Sequence, residues 1–147
     1  MRWMTLGKSK DKYPLANELA KKLPKIEILY ISGLYHDIGK GRGSDHSELG
    51  KSIVRKFCKK HLYSEEDTKK IEWLVQNHLL MSVTSQKKDL TDSKVVEEFA
   101  RKVGSLEMLN YLYCLTAADV SATNPNLWNS WNASLLRQLY ELSLIHI

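Results

Sequence analysis

The stretch Leu34-Tyr35-His36-Asp37-Ile38-Gly39-Lys40 sets a histidine and an aspartate side by side at the end of an apolar run. Neutral imidazole and carboxylate groups hold catalytic divalent metals at neutral pH, and an adjacent pair at a helix end can aim both groups at one point. Further candidate ligands follow on separate segments, namely His46, His78 and Asp119. This distribution predicts an all-α bundle with a metal site between its helices.

The segments around the doublet have helical periodicity. Leucines at i, i+4 predict a short helix over residues 15–23, and Pro24 suits the first turn of a second helix that runs towards Ile38. Residues 28–31 alone would also fit a buried strand, but segment length and the helical neighbours favour a buried helix. The doublet is therefore predicted at the C-terminal end of this second helix.

The rest of the chain continues the helical pattern. Glycines at 39, 41 and 43 break the second helix, and Asp45 is predicted to cap the third. Ser64 and Asp92 are start signals for later helices, and residues 106–120 form an apolar, central one. Asn124 or Asn126 is predicted to precede the last helix, which has the following apolar stripe: Trp128, Trp131, Leu135, Leu139 and Leu142. No segment convincingly predicts a strand.

Bulk properties narrow the class of protein. The length of 147 residues fits one domain with a sizeable core. The net charge of +5 is spread over dispersed lysines without a nucleic-acid-binding motif, so no nucleic-acid partner is expected. Cys58 and Cys114 have no CxxC spacing and are interpreted as buried thiols in a reducing cytoplasm. No membrane association is expected, because the sequence has neither a spanning stretch nor a signal peptide.

Several motifs identify a family when they are taken together. They are residues 34–40, 41–50 (GRGSDHSELG), 73–84 (WLVQNHLLMSVT), 115–119 (LTAAD), 122–131 (ATNPNLWNSW) and 135–140 (LLRQLY). The doublet and the residues directly after it resemble the HD superfamily of metal-dependent phosphohydrolases. The other motifs are similar to the HD domain of bifunctional PII uridylyltransferase/uridylyl-removing enzymes. The resemblance extends from about Tyr13 to Ser143.

The resemblance implies a ligand set and a reaction. His36 and Asp37 would bind the metal, Asp119 would be the closing carboxylate ligand, and His46 and His78 would be the extra histidines of two-metal HD proteins. Without the resemblance, His78 would fit a core histidine and Asp119 a partner for a buried arginine. The implied metal is Mg or Mn, although the mixed ligands also suit Fe or Zn. The implied reaction is phosphodiester hydrolysis that releases UMP from uridylylated PII protein.

Lys40 and the tryptophans need separate treatment. Lys40 comes soon after the doublet and is predicted to be catalytic, as a phosphate contact or a general-acid helper beside Asp37. A lysine at a helix C-terminus that interacts with the helix dipole is an equally good interpretation. Trp128 and Trp131, spaced i, i+3 on an apolar stripe, are predicted to be core residues.

The domain organisation is expected to be that of a partial protein. Residues 1–14 are predicted to be a truncated lead-in, 15–143 the HD domain and 144–147 a tail that departs from the family. The family's nucleotidyltransferase and ACT domains have no counterpart here, and residues 1–35 lack the upstream ligand histidine that HD proteins usually carry. The alternatives are an HD phosphohydrolase acting on free nucleotides and a catalytically incomplete helical module that binds a partner.

Overall fold

The computed structural model describes Met4 and residues 13–38, 46–123 and 128–147, without the side chains of residues 46, 47 and 123. We number its helices α1 (Pro14–Ala20), α2 (Ile26–Tyr35), α3 (His46–Lys60), α4 (Glu65–Gln76), α5 (Leu80–Lys87), α6 (Ser93–Val103), α7 (Leu106–Thr123) and α8 (Ser130–Ser143). The described residues contain no strand, which confirms the all-α prediction.

The helices belong to two compact units. We call Lys25–His78, which contains α2, α3 and α4, the doublet unit. Met1–Pro24 together with Leu79–Ile147 forms the second one, the α7 unit, with α1 and α5 to α8. The predicted boundaries at residues 14 and 143 stay predictions.

The doublet unit is held together by close packing of three helices. Five apolar side chains on these helices are at most 1% exposed: Ile28 and Leu29 of α2, Val54 of α3, and Ile71 and Leu74 of α4. The helix α4 begins as the sequence predicts, because the Ser64 hydroxyl accepts the backbone N–H of Asp67 at 3.1 Å. The C-terminal ends of α2 and α4 carry His36 and His78 just beyond them.

The α7 unit is organised around its longest helix. The following α7 side chains are completely buried: Leu109, Tyr111, Leu112, Cys114 and Leu115. The Cys114 thiol donates to the Ala16 carbonyl of α1 at 3.7 Å, and Tyr140 of α8 donates to Asn110 at 2.7 Å. This burial confirms the central helix that the apolar run predicts.

Both cysteines are free and buried, as the sequence predicts. Burial raises the pKa of the Cys114 thiol to about 12 and also raises the pKa of Cys58. No helix among the described residues has the length and apolar character that crossing a bilayer requires.

Some helix boundaries differ from the prediction. The first helix ends at Ala20 rather than Leu23, because a residue that precedes proline is disfavoured in helical conformation and Pro24 follows Leu23. The helix α2 begins only at Ile26, because Lys25 is extended (φ −137°, ψ 95°) and forms its N-cap, so Pro24 lies outside the helix. The helix α5 was not predicted at all; its N-cap residue, Leu79, makes no side-chain cap bond.

The last helix corrects a prediction about its core face. Asn129 caps α8 by accepting the backbone N–H of Asn132 at 2.9 Å, and the predicted caps Asn124 and Asn126 lie outside the described residues. Trp131 is 71% exposed, so its prediction as a core residue is wrong, whereas Trp128 is buried and contacts Tyr13. The stripe that α8 buries is shifted from the predicted one and consists of Leu136, Leu139, Tyr140 and Ser143.

Candidate metal centre

His36 is the first residue beyond α2, and its ring is fixed by the helix that it ends. Its Nδ1 lies 2.6 Å from the carbonyl oxygen of Gly33, three residues earlier. A carbonyl can only accept, so Nδ1 carries the proton and donates it in this contact. In the neutral ring the Nε2 lone pair is therefore left for another partner.

His78 repeats this arrangement beyond α4. Its Nδ1 donates to the Val75 carbonyl at 2.7 Å, again three residues back, and the side chain is 1% exposed. The sequence stripe correctly predicts its burial, although the helix itself ends at Gln76. Two imidazoles thus have the same tautomer, fixed by the same backbone geometry.

The Asp37 carboxylate lies against both Nε2 atoms. Oδ2 is 3.2 Å from His36 Nε2, Oδ1 is 3.6 Å from His78 Nε2, and the two imidazole ring centroids are 5.1 Å apart. When both rings are neutral, all of these facing atoms are lone-pair donors. These lone pairs are satisfied either by protons on the imidazoles or by a cation that lies between the three groups. Imidazole nitrogen and carboxylate oxygen together form a ligand set that divalent metals accept.

Two features connect α3 to the helix ends that carry the imidazoles. The Gln76 side-chain amide donates to the Glu48 carboxylate, which joins the last turn of α4 to the first turn of α3. A Cβ added to Gly50 would lie 3.0 Å from Val75 Cγ1 and 3.5 Å from the Tyr35 carbonyl oxygen. The lack of a side chain at position 50 therefore permits close approach to the two helix ends that carry the imidazoles.

The structure describes the other predicted site residues to different extents. His46 begins α3, but its side chain is not described, and Lys40 lies wholly outside the described residues. Asp119 is on α7, in the α7 unit, where it is half-buried. The remaining histidines, His61 and His146, are exposed, as their sequence context predicts.

Other carboxylates of the doublet unit face a different kind of group. Arg55 contacts Glu72 at 2.9 Å through Nε and Glu65 at 2.7 Å through a terminal nitrogen, and the Glu72 side chain is only 8% exposed. Lys25 donates to Asp67 at 2.7 Å, and this bond holds the pKa of the Asp67 carboxyl below its usual range. These carboxylates have cations supplied by the protein itself.

Sequence reasoning missed the groups that orient the imidazoles. The Gly33 and Val75 carbonyls fix which nitrogen of each ring carries the proton, but every residue has a carbonyl, so no residue type indicates such a role. The only available signal is positional. A histidine just beyond a helix end has the carbonyl three residues earlier within reach of its Nδ1.

Comparisons with known proteins agree with the motifs. The model of the HD domain family matches residues 13–124. A bifunctional uridylyltransferase/uridylyl-removing enzyme of Stutzerimonas stutzeri is 57% identical over 140 residues, which cover 95% of this chain and 16% of that enzyme. Enzymes of the same name from Azotobacter vinelandii and Pseudomonas aeruginosa are 62% and 59% identical over 130 residues, or 88% of this chain and 14% of theirs.

These matches cover most of this chain but only a small part of each relative. The chain spans about one sixth of the length of the curated relatives it matches. No solved structure matches it.

Proposed function

Since this chain belongs to the HD domain family, we propose that it is a metal-dependent phosphodiester hydrolase domain that removes UMP from uridylylated PII protein. The observation that carries the proposal is the pair of backbone-anchored imidazoles, His36 and His78, whose Nε2 atoms face the Asp37 carboxylate. The phrase "uridylyl-removing" in the relatives' name describes a hydrolysis of this kind.

In this proposal His36, Asp37 and His78 hold a divalent metal, and His46 and Asp119 are further ligands. The mixture of imidazole and carboxylate suits Mn or Mg, with Mn the better match to nitrogen. When bound, such a cation lowers the pKa of a coordinated water and polarises a phosphoryl oxygen. The anchored imidazoles fit this use because ligand histidines typically donate their other N–H to a carbonyl or carboxylate.

The remaining chemistry belongs to side chains around the metal ligands. Asp37 has a 44% exposed carboxylate, so it can take a water proton while it shares the metal with the imidazoles. Lys40, three residues further along the sequence, supplies positive charge for a non-bridging phosphoryl oxygen. The two buried free thiols fit a cytoplasmic location for the reaction.

Metal content and UMP release test the proposal together. The purified chain is expected to retain Mn in elemental analysis and to release UMP from uridylylated PII only when Mn or Mg is present. His36→Ala should lose both properties, whereas the matched control His61→Ala, which removes an exposed histidine of the same unit, should keep both.

Different failures of this experiment have different meanings. A chain that binds no metal would contradict the metal centre itself and would favour a non-catalytic partner-binding module. A chain that binds metal and hydrolyses free nucleotides but not uridylylated PII would contradict the substrate and leave the hydrolase class standing.

A further inference from the structure

Among the described residues, the buried hydroxyl of one threonine differs from the other buried serine and threonine hydroxyls. Thr116 of α7 is 1% exposed, and its Oγ1 has no hydrogen-bond partner among the described residues. Four other buried hydroxyls on helices donate to the carbonyl four residues earlier, at 2.6–2.8 Å; they belong to Ser32, Thr68, Thr84 and Ser143. The buried Ser85 hydroxyl donates to the carbonyl three residues earlier, at 3.1 Å. The equivalent acceptor for Thr116 is the carbonyl of Leu112, which its hydroxyl does not use.

This difference has a cost that the other hydroxyls avoid. A buried hydroxyl that has lost its water and gained no partner destabilises the folded protein. Threonine in a helix has two accessible χ1 rotamers, one of which satisfies the hydroxyl on its own backbone. Thr84, in the same unit, shows that such a bond forms readily here. The Thr116 hydroxyl therefore leaves unmade a bond that its own helix backbone could supply.

The sequence places one carboxylate on the face of α7 that carries Thr116. Asp119 is three residues after Thr116, and side chains at i and i+3 are neighbours on a helix surface. The residues around them, Leu115, Ala117 and Ala118, have no side-chain polar atoms. A hydroxyl and a half-buried carboxylate thus share one face of an otherwise apolar turn.

We propose that Thr116 is a positioning residue for Asp119, and that its hydroxyl donates to the Asp119 carboxylate when a divalent metal is bound. This inference rests on the proposed function, which makes Asp119 a metal ligand. A carboxylate that binds a metal through one oxygen has the other oxygen available as an acceptor, and such hydrogen bonds orient ligands in metal sites. The metal-free protein then keeps an unsatisfied donor that metal binding satisfies.

Four proteins test this assignment by isothermal titration with Mn²⁺: the unsubstituted chain, Thr116→Val, Thr116→Ser and Thr84→Val. Thr116→Val keeps the shape of threonine and is expected to weaken Mn²⁺ affinity by about tenfold, the lower end of what such partners contribute. Thr116→Ser should restore the affinity because it restores the hydroxyl. Thr84→Val removes a buried hydroxyl of the same unit and should leave Mn²⁺ affinity unchanged.

Melting in the presence of a chelator supplies a readout that does not depend on metal. Thr116→Val should raise the metal-free melting temperature, because it removes an unsatisfied donor, whereas Thr84→Val should lower it by breaking an existing bond. If the valine variant does not fold, Thr116→Ala replaces it in the titration. A lower metal-free melting temperature for Thr116→Val would overturn the inference, since it would mean that the hydroxyl already has a partner.

The titration also separates this inference from the function on which it rests. If the unsubstituted chain binds no Mn²⁺, the proposed metal centre is wrong and the role of Thr116 fails with it. If the unsubstituted chain and Thr116→Val bind Mn²⁺ equally well, the centre stands and Thr116 does not position a ligand. Weak binding by both Thr116→Val and Thr116→Ser would assign the effect to packing and would also overturn the inference.

Discussion

Two polar clusters of the doublet unit have similar distances but different chemistry. In the first, the Asp37 carboxylate lies 3.2 and 3.6 Å from the imidazoles of His36 and His78. In the second, Arg55 lies 2.9 Å from Glu72 and 2.7 Å from Glu65. The guanidinium is always charged, so the second cluster carries its own cation. Imidazoles anchored through Nδ1 present lone pairs, so the first cluster can accept a cation from outside.

On the proposed function, this difference separates a structural ion pair from a metal-ligand set. Removing the guanidinium would leave a buried carboxylate without its charge partner, which is a loss of stability. On the proposed function, removing an imidazole or Asp37 would take away a metal ligand, which is a loss of activity. Substitutions in each cluster test whether the two respond in these separate ways.

The largest expected effect is on activity. Asp37→Ala should reduce Mn-dependent phosphodiester hydrolysis by more than about 100-fold. Loss of a residue that only orients a metal ligand costs up to about 100-fold in activity, and loss of a proposed ligand itself should cost more. The stability change should stay below about 1 kcal/mol, since the side chain is 44% exposed. Hydrolysis assays and thermal melts monitored by circular dichroism measure both quantities.

Arg55→Met is the matched counterpart from the second cluster. Hydrolysis retained by Arg55→Met but lost in Asp37→Ala would support the separation of the two clusters. Equal loss of hydrolysis in both variants would break the comparison.

The next effect is on stability. Arg55→Met should lower the free energy of unfolding by about 3 kcal/mol, because Glu72 is 8% exposed and would remain as a buried charge. Adding Glu72→Gln should recover part of this loss, since the amide needs no cation. Urea denaturation of the single and double variants measures both steps, and a cost below about 1 kcal/mol for the single variant would show that solvent already screens the pair.

The smallest effect concerns a cation–carboxylate pair elsewhere in the same unit. Asp67→Asn should cost about 1 kcal/mol at pH 7, because the lysine that donates to Asp67 is half exposed. The pKa of Asp67 is lowered in the folded protein, so its contribution is complete above the unfolded value near 4 and disappears as pH falls through the folded pKa.

Melting curves of Asp67→Asn and the unsubstituted chain from pH 7 to pH 2 are therefore expected to converge at the acid end. A difference that stays constant over this range would mean that the lysine bond contributes nothing through charge.

The sequence predicted helix positions best where the termination signals are strong. Glycines after the doublet and Gly104, with φ of 85°, follow helix ends that were predicted near their observed places. The short α5 was missed because it has no capping side chain at its start. The buried face of α8 was misassigned because its leucines fit two different helical stripes, one with Leu135 and one with Leu136. Only the cap at Asn129 fixes where the helix begins.

For the site, the sequence predicted residue types but not their orientation. The doublet and His78 come together as predicted, since both follow helix ends of the same unit. The carbonyls that select the tautomers and the unsatisfied Thr116 hydroxyl are consequences of rotamers, which composition and spacing do not encode. All of the predicted site residues remain predicted members of a metal site: His36, Asp37, Lys40, His46, His78 and Asp119.

Gly50 has a consequence for anyone who engineers thermostability into this fold. Replacing a helical glycine by alanine gains up to about 1 kcal/mol where the position is open. At position 50 the new methyl group would lie 3.0 Å from Val75 Cγ1, which is tighter than an ordinary contact, and Val75 is the residue whose carbonyl anchors His78. A substitution chosen only to stiffen α3 would therefore press on the residue that orients this imidazole, so the best helix former is a poor choice at this position.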